Sequence, residues 1–256
     1  MRKLIASEFQ RIWMNEKTII LLMLVIIDAI YGCIWKQQIK GSYDEFTYNV
    51  ILNSLNFSPF AFCEGSSILF YIVLPIVAID SINSEKMIGA FRMYMIRPYK
   101  KYQYILSKWI ALGLTTFILM VIVFIISIIF GCTFMPKVST VKFYNIDYDF
   151  RTVGALLYIT KFFLMQFFVA MFIVSMSTVI AVIIPNSVIS ILAVISLIIG
   201  LGGFTSYFKF LVRNCKYAFY TLGNAESISQ HFIVAGGIIG FLLIGMVLWS
   251  KKDYFN

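Results

Sequence analysis

The sequence predicts an all-α integral membrane fold with six transmembrane helices, and three observations predict it. The chain of 256 residues is 61% hydrophobic and only 13% charged. Soluble domains carry roughly a quarter charged residues, so a water-facing surface cannot be built from this composition. Six apolar runs, at about residues 18–35, 59–82, 109–135, 156–184, 187–204 and 232–250, match the roughly 20 residues needed to cross a hydrocarbon core. The basic residues flank these runs and form no separate basic domain, so the net charge of +9 fits membrane lipid rather than nucleic acid.

Taken in order, residues 1–17 form an N-terminal unit ahead of the six-span domain, 18–256. Ile5, Phe9, Ile12 and Trp13 share one helical face, with Arg2, Glu8, Arg11 and Asn15 largely elsewhere. That pattern predicts an amphipathic helix lying in the membrane interface. Asp28 falls in the middle of the first span. A carboxylate at that depth costs on the order of 3 kcal/mol, so it must face protein or a wet cavity. Two readings stay open for it: a place on a translocation path, or a structural acid held between helices, with Tyr71 of the second span its partner by depth. Glu64 and Asp80 bracket the uncharged part of that second span. Pro185-Asn186-Ser187 predicts a tight turn between the fourth and fifth spans, because proline cannot continue a helix. Gly236 and Gly240 form a G-x-x-x-G in the sixth span, which lets another helix approach closely, within the subunit or at a dimer face.

The long segment between the fifth and sixth spans mixes Tyr207, Phe208, Lys209, Arg213 and Lys216. Aromatic residues and snorkelling cations of this kind suit a helix at the membrane–water boundary. It serves either as an interfacial anchor or as an outer gate.

The most informative stretch is the basic loop from Asp80 to Lys108, which holds Lys86, Arg92, Arg97, Lys100, Lys101 and Lys108 against the acids Asp80 and Glu85. Such an excess of Lys and Arg keeps a loop in the cytoplasm, which places both termini there too. Cys33, Cys63, Cys132 and Cys215 then lie on or near the outer face, as free thiols or as a disulfide, with Cys215 open to thiol reagents from outside. Within the loop, Met87, Ile88, Phe91, Met95 and Ile96 make an apolar helical stripe, and Pro98 ends it. The stripe fits either a partner's groove or the lipid interface.

The spacing of Glu85 and Gly89, then Pro98, Lys101, Tyr104 and Lys108, resembles the loop between the second and third spans of ABC-2 type transporter permeases. The family pattern runs E-x-x-x-G-T, then P-x-x-R-x-x-Y, then a lysine opening the third span. Ala90 stands here in place of the threonine and Lys101 in place of the arginine. The resemblance implies a cytoplasmic coupling helix between spans 2 and 3 that docks on a separate ATPase subunit through Glu85, Met87, Ile88, Gly89, Phe91, Met95, Pro98, Lys101 and Lys108. It also implies a connector helix before the first span and a re-entrant or interfacial helix between spans 5 and 6. Two copies of an ABC ATPase, carrying ATP and Mg2+, would work beneath this chain and a second permease copy or homologous partner. This chain would bind no cofactor itself. Its size and texture resemble bacterial exporters and immunity permeases for antimicrobial peptides such as lantibiotics, which implies an amphipathic or hydrophobic cargo and a place in the bacterial plasma membrane.

The chain contains no G-x-x-x-x-G-K-[ST], so it carries no P-loop for ATP. A single histidine, His231, rules out a multi-histidine metal site, and the cysteines show no paired metal spacing. No Ser/His/Asp, Cys/His or H-E-x-x-H arrangement supports hydrolysis. The expectation is a transport subunit rather than an enzyme. Asp28, Glu64 and Tyr71 are the candidates for the translocation path, and the rival reading is an ion- or proton-coupled secondary transporter using Asp28 or Glu64.

Overall fold

The computed structural model describes residues 1–39, 50–88, 100–144, 146, 148–223 and 228–251. Among these, six helices are long and apolar enough to cross a membrane: Glu16–Gln38, Phe57–Ser84, Lys101–Phe134, Thr152–Ile183, Ser187–Phe204 and Gln230–Lys251, hereafter spans 1 to 6. The chain is an all-α, multi-pass membrane protein. Its large exposed side chains, such as Ile20, Ile27, Phe117, Leu157 and Ile239, are the apolar coat that lipid requires.

Span 4 is the axis of the bundle, with 83% of its apolar window buried, against 22% and 17% for spans 5 and 6. The cause is in its sequence, which is apolar all the way round and shows no polar face. Its serines are spent on its own backbone: Ser175 and Ser177 donate to the carbonyls of Met171 and Ile173. Ser175 also receives the Trp109 indole N–H at 2.8 Å, which pins span 3 against span 4.

Helix ends lie beyond the apolar runs in several places. Span 3 begins at Lys101, about two turns before the predicted boundary, because Tyr104 and Ser107 are polar in composition yet buried. The Lys100 backbone N–H donates to Gln103 Oε1 at 3.1 Å and so closes its first turn. Span 5 begins where predicted, after Pro185, and Asn186 caps it by accepting from the N–H groups of Val188 and Ile189.

The N-terminal helix, Arg2–Trp13, buries Leu4, Glu8 and Ile12 and packs on the start of span 3. Trp13 donates its indole N–H to Thr115 of that span at 3.3 Å. The predicted division of its faces needs correcting, because Glu8 points into protein with only 2% of its surface exposed. Leu4, Glu8 and Ile12 are spaced i, i+4, i+8, so the acid belongs to the buried stripe.

Spans 1 and 2 cross at Gly32 and Gly65. A Cβ on Gly65 would come within 2.8 Å of the Asp28 carbonyl oxygen, and one on Gly32 within 2.9 Å of the Ala61 carbonyl. Only glycine permits that approach. At Gly236 and Gly240, by contrast, an added Cβ would have nothing within 4 Å. Among the described residues, packing within the subunit at those two positions does not occur. Their neighbour Gly237 is the close contact, seated on the ring of Phe172.

Span 2 contains one wide π-helical turn, Leu69–Val73, which offsets its two halves. A two-residue antiparallel ribbon pairs Thr140–Val141 with Phe150–Arg151 ahead of span 4. Between spans 5 and 6, a 3-10 turn, Ser206–Leu211, and a short helix, Asn214–Gly223, fold back onto spans 4 and 5. Phe219 of that helix stacks on Phe60 of span 2 at 4.9 Å.

Candidate functional site

Two groups of described charged and polar side chains stand toward the two ends of the bundle. At the end where spans 2 and 3 enter their connecting loop, Lys108 is 1% exposed and donates both to Glu8 Oε2 at 3.1 Å and to the Ser81 carbonyl at 2.8 Å. Arg11 pairs with the same Glu8 oxygen one turn along the N-terminal helix and reaches the Ser81 carbonyl at 3.4 Å. One carboxylate thus sits between two cations, and the last turns of span 2 supply a backbone acceptor. A buried ion pair survives only when geometry and extra hydrogen bonds offset the desolvation of both charges. Here the Ser81 carbonyl, accepting from both cations, supplies extra hydrogen bonds.

Further bonds tie the same corner together. Lys17 at the start of span 1 approaches Asp80 at 3.8 Å. Asn83 donates to the Ile184 carbonyl and to Ser190 Oγ, joining span 2 to the turn between spans 4 and 5. Lys101 reaches the Ser250 carbonyl at the end of span 6. Both roots of the loop are therefore bonded to most other elements at that end.

The opposite end holds a second group. Lys36 of span 1 is 3% exposed and pairs with Glu64 of span 2 at 3.0 Å. Cys63, beside Glu64, donates to the Pro59 carbonyl at 3.1 Å and lies near Cys215 of the short helix between spans 5 and 6. Tyr71 donates to the carbonyls of Leu211 and Val212 at 3.2 and 3.1 Å, and Gln166 of span 4 donates to that of Asn214 at 3.2 Å.

Several predicted site residues are placed by these facts. Asp28 is buried, but Tyr71 is not its partner, because the Tyr71 hydroxyl is taken by backbone at the neighbouring turn. One carboxylate oxygen of Asp28 is buried with no hydrogen-bond partner among the described residues. Glu64 sits in an ion pair rather than beside Asp28. Of the outer segment, Tyr207, Lys209 and Arg213 are exposed or partly so, Phe208 lies 6.2 Å from the Phe172 ring, and Lys216 stands over the Tyr220 ring at 5.5 Å. Cys215 is buried, so it is not the reagent-accessible thiol that the topology predicts; Cys132 is the exposed one. The side chains of Glu85, Met87 and Ile88, and all of Gly89, Phe91, Met95 and Pro98, lie outside the described residues. Lys101 and Lys108 are the members of that set whose contacts are seen.

Sequence reading missed the partnership of Glu8 with Lys108. The signal was a lysine two turns inside a long helix, where burial demands an anion, and an acid in register with Leu4 and Ile12. Among the described residues no group of three His, Cys, Asp or Glu side chains is arranged to hold a metal ion. The chain matches no protein-family model, and no curated protein matches it.

Proposed function

We propose that this chain is the membrane subunit of an ATP-driven exporter of the ABC-2 type, in which a separate ATPase docks on the loop between spans 2 and 3. The single observation that carries this reading is the buried Glu8–Lys108–Ser81 cluster at the roots of that loop. A push delivered to the loop is useful only if its roots are fixed to the helices that must move. The N-terminal helix, span 2 and span 3 are bonded there into one corner, and Asn83 carries the connection on to spans 4 and 5.

In this reading the loop side faces the cytoplasm of a bacterial cell. Two ATPase copies bind ATP and Mg2+ beneath this chain and a second permease copy, and this chain binds no nucleotide. The folded-back segment between spans 5 and 6 closes the far side of the path, and an amphipathic or hydrophobic peptide is the cargo. The test is co-purification from the native host. A P-loop ATPase is expected with the unaltered chain and with Lys142→Ala, a control at the far end. Gly89→Trp is expected to lose it, whereas Glu85→Ala keeps it but weakens export. Unchanged binding and export in both loop variants would remove the reading.

One observation favours a second reading. The buried, unpartnered oxygen of Asp28 is what an ion- or proton-coupled carrier needs at mid-membrane. Glu64 serves that reading poorly, since Lys36 already neutralises it.

A further inference from the structure

A cavity of about 370 Å³ opens between spans 4 and 6 at the end away from the basic loop, beneath the short helix Asn214–Gly223. That is within the size range of small-ligand sites, roughly 300–1,000 Å³. Its lining is almost wholly apolar, with Leu164, Phe168 and Val234 forming a trough, and Lys161 and His231 are among the few residues in it that carry a charged or titratable group.

The depth of these residues decides what such a cavity meets. Span 4 has 32 residues, or about 48 Å at a rise of about 1.5 Å per residue, against a hydrocarbon core of about 30 Å. A centred helix overhangs the core by about 9 Å at each end, so Lys161, about 13 Å from the helix start, sits just inside the boundary. Leu164 and Phe168 follow one and two turns deeper, and both are about half exposed. The trough therefore opens toward lipid tails, while the ammonium reaches back toward the headgroups.

The polar groups are ready for an anion. Lys161 is exposed and has no hydrogen bond or ion pair to the described residues. Burial pushes the Tyr217 hydroxyl up to about 12, so the phenol keeps its proton at neutral pH. It lies 3.0 Å from His231 Nδ1, and by donating there it leaves the ring hydrogen on Nε2 as a further donor.

We propose that this cavity binds an anionic phospholipid, its phosphate held between Lys161 and His231 and an acyl chain laid along Leu164, Phe168 and Val234. A zwitterionic lipid fills the trough equally well but brings its own cation toward Lys161. A basic peptide is repelled by that lysine.

The test is native mass spectrometry of the purified chain in detergent, titrated with dioleoyl phosphatidylglycerol or dioleoyl phosphatidylcholine. The unaltered chain is expected to retain phosphatidylglycerol more strongly. Loss of one charge-assisted contact in Lys161→Gln lowers that retention roughly tenfold, and Lys161→Arg restores it. Ala235→Trp, which fills the trough from an exposed position, removes binding of both lipids. Lys142→Gln, elsewhere on the same end, changes nothing. Apparent melting temperatures check that each variant is folded. Equal retention of the two lipids, wild-type retention in both Lys161→Gln and Ala235→Trp, or an equal loss in Lys142→Gln would overturn the proposal. Full displacement of the lipid by millimolar inorganic phosphate would overturn it too, by showing a site for the free anion.

Discussion

Glu8 of the N-terminal helix and Lys108 of span 3 meet at 3.1 Å across 100 positions of sequence, with side chains 3% and 1% exposed. The pair is what makes an amphipathic helix part of the bundle rather than a float on its surface. Removing Glu8 strands the buried Lys108, whereas removing Lys108 leaves Glu8 its pairing with Arg11. Glu8→Ala is expected to cost about 3–5 kcal/mol and Lys108→Ala less, whereas the double change Glu8→Leu with Lys108→Met recovers most of the larger loss, because the apolar pair needs no desolvation and the part-exposed Arg11 can turn to water. Thermal unfolding in detergent measures this. Single variants within about 0.5 kcal/mol of the parent would show a pair that is solvated after all.

The close crossing of spans 1 and 2 gives a sharper steric test. Gly65→Leu places a side chain where the Asp28 carbonyl oxygen is 2.8 Å from the first carbon, so backbone must shift. A loss of about 1–3 kcal/mol or failure to fold is expected. Gly236→Leu, on a face with nothing within 4 Å, is expected to be silent in the isolated subunit. Matching melting temperatures for the two variants would contradict the crossing.

How much of this is legible in the sequence depends on the kind of residue. The six spans announce themselves because apolar content is additive along a window, and Pro185 and Asn186 bound span 5 correctly. Span 3 reads too short, starting only after Lys108, since a hydropathy window stops at polar residues even when protein rather than water covers them. The pairings are beyond reach. Nothing in the spacing of Tyr71 says that it will choose the carbonyls of Leu211 and Val212 over Asp28, because that choice follows from how the segment between spans 5 and 6 folds back. Likewise G-x-x-x-G marks Gly236 and Gly240, yet single glycines at positions 32, 65 and 237 make the close approaches.

Cysteine chemistry tests the folding back of that segment directly. Cys63 and Cys215 lie close enough to interact, and a disulfide forms only where Cα atoms come within about 7 Å and the thiols face one another. Oxidation by oxygen with copper phenanthroline, which takes two electrons and two protons from the thiol pair, is expected to link them within one chain. Non-reducing peptide mapping would find the linked fragments in the unaltered protein and not in Cys63→Ser. Absence of the link under conditions that oxidise Cys132 would separate the short helix from span 2.

Topology has its own test, with the labelled position chosen for the exposure seen. Cys132 is exposed near the end of span 3, and Ser84 lies near the end of span 2 on the opposite side of the bundle. An impermeant maleimide is expected to reach Cys132 in intact cells, and to reach Ser84→Cys, in a background lacking the other thiols, only after permeabilisation. Buried Cys215 is expected to react on neither side until the protein is unfolded. Labelling of position 84 in intact cells would invert the proposed orientation.

Asp28 separates the two functional readings. Its buried oxygen lacks a partner among the described residues, so the group persists either as a neutral structural acid or as the binding point of a transported ion. Asp28→Asn keeps the shape and removes the charge. Folding is expected to hold within about 1 kcal/mol, since an amide in place of an unpaired carboxyl adds no desolvated charge. Function is read in liposomes that contain this chain alone, with a pH-sensitive dye inside and an imposed potential. ATP-driven export through a separate subunit predicts no proton entry above that of empty liposomes, in the unaltered chain and in Asp28→Asn alike. A potential-driven flux that Asp28→Asn abolishes would select the ion-coupled carrier. The corner at Glu8 and Lys108 would then be a structural clasp rather than a coupling joint.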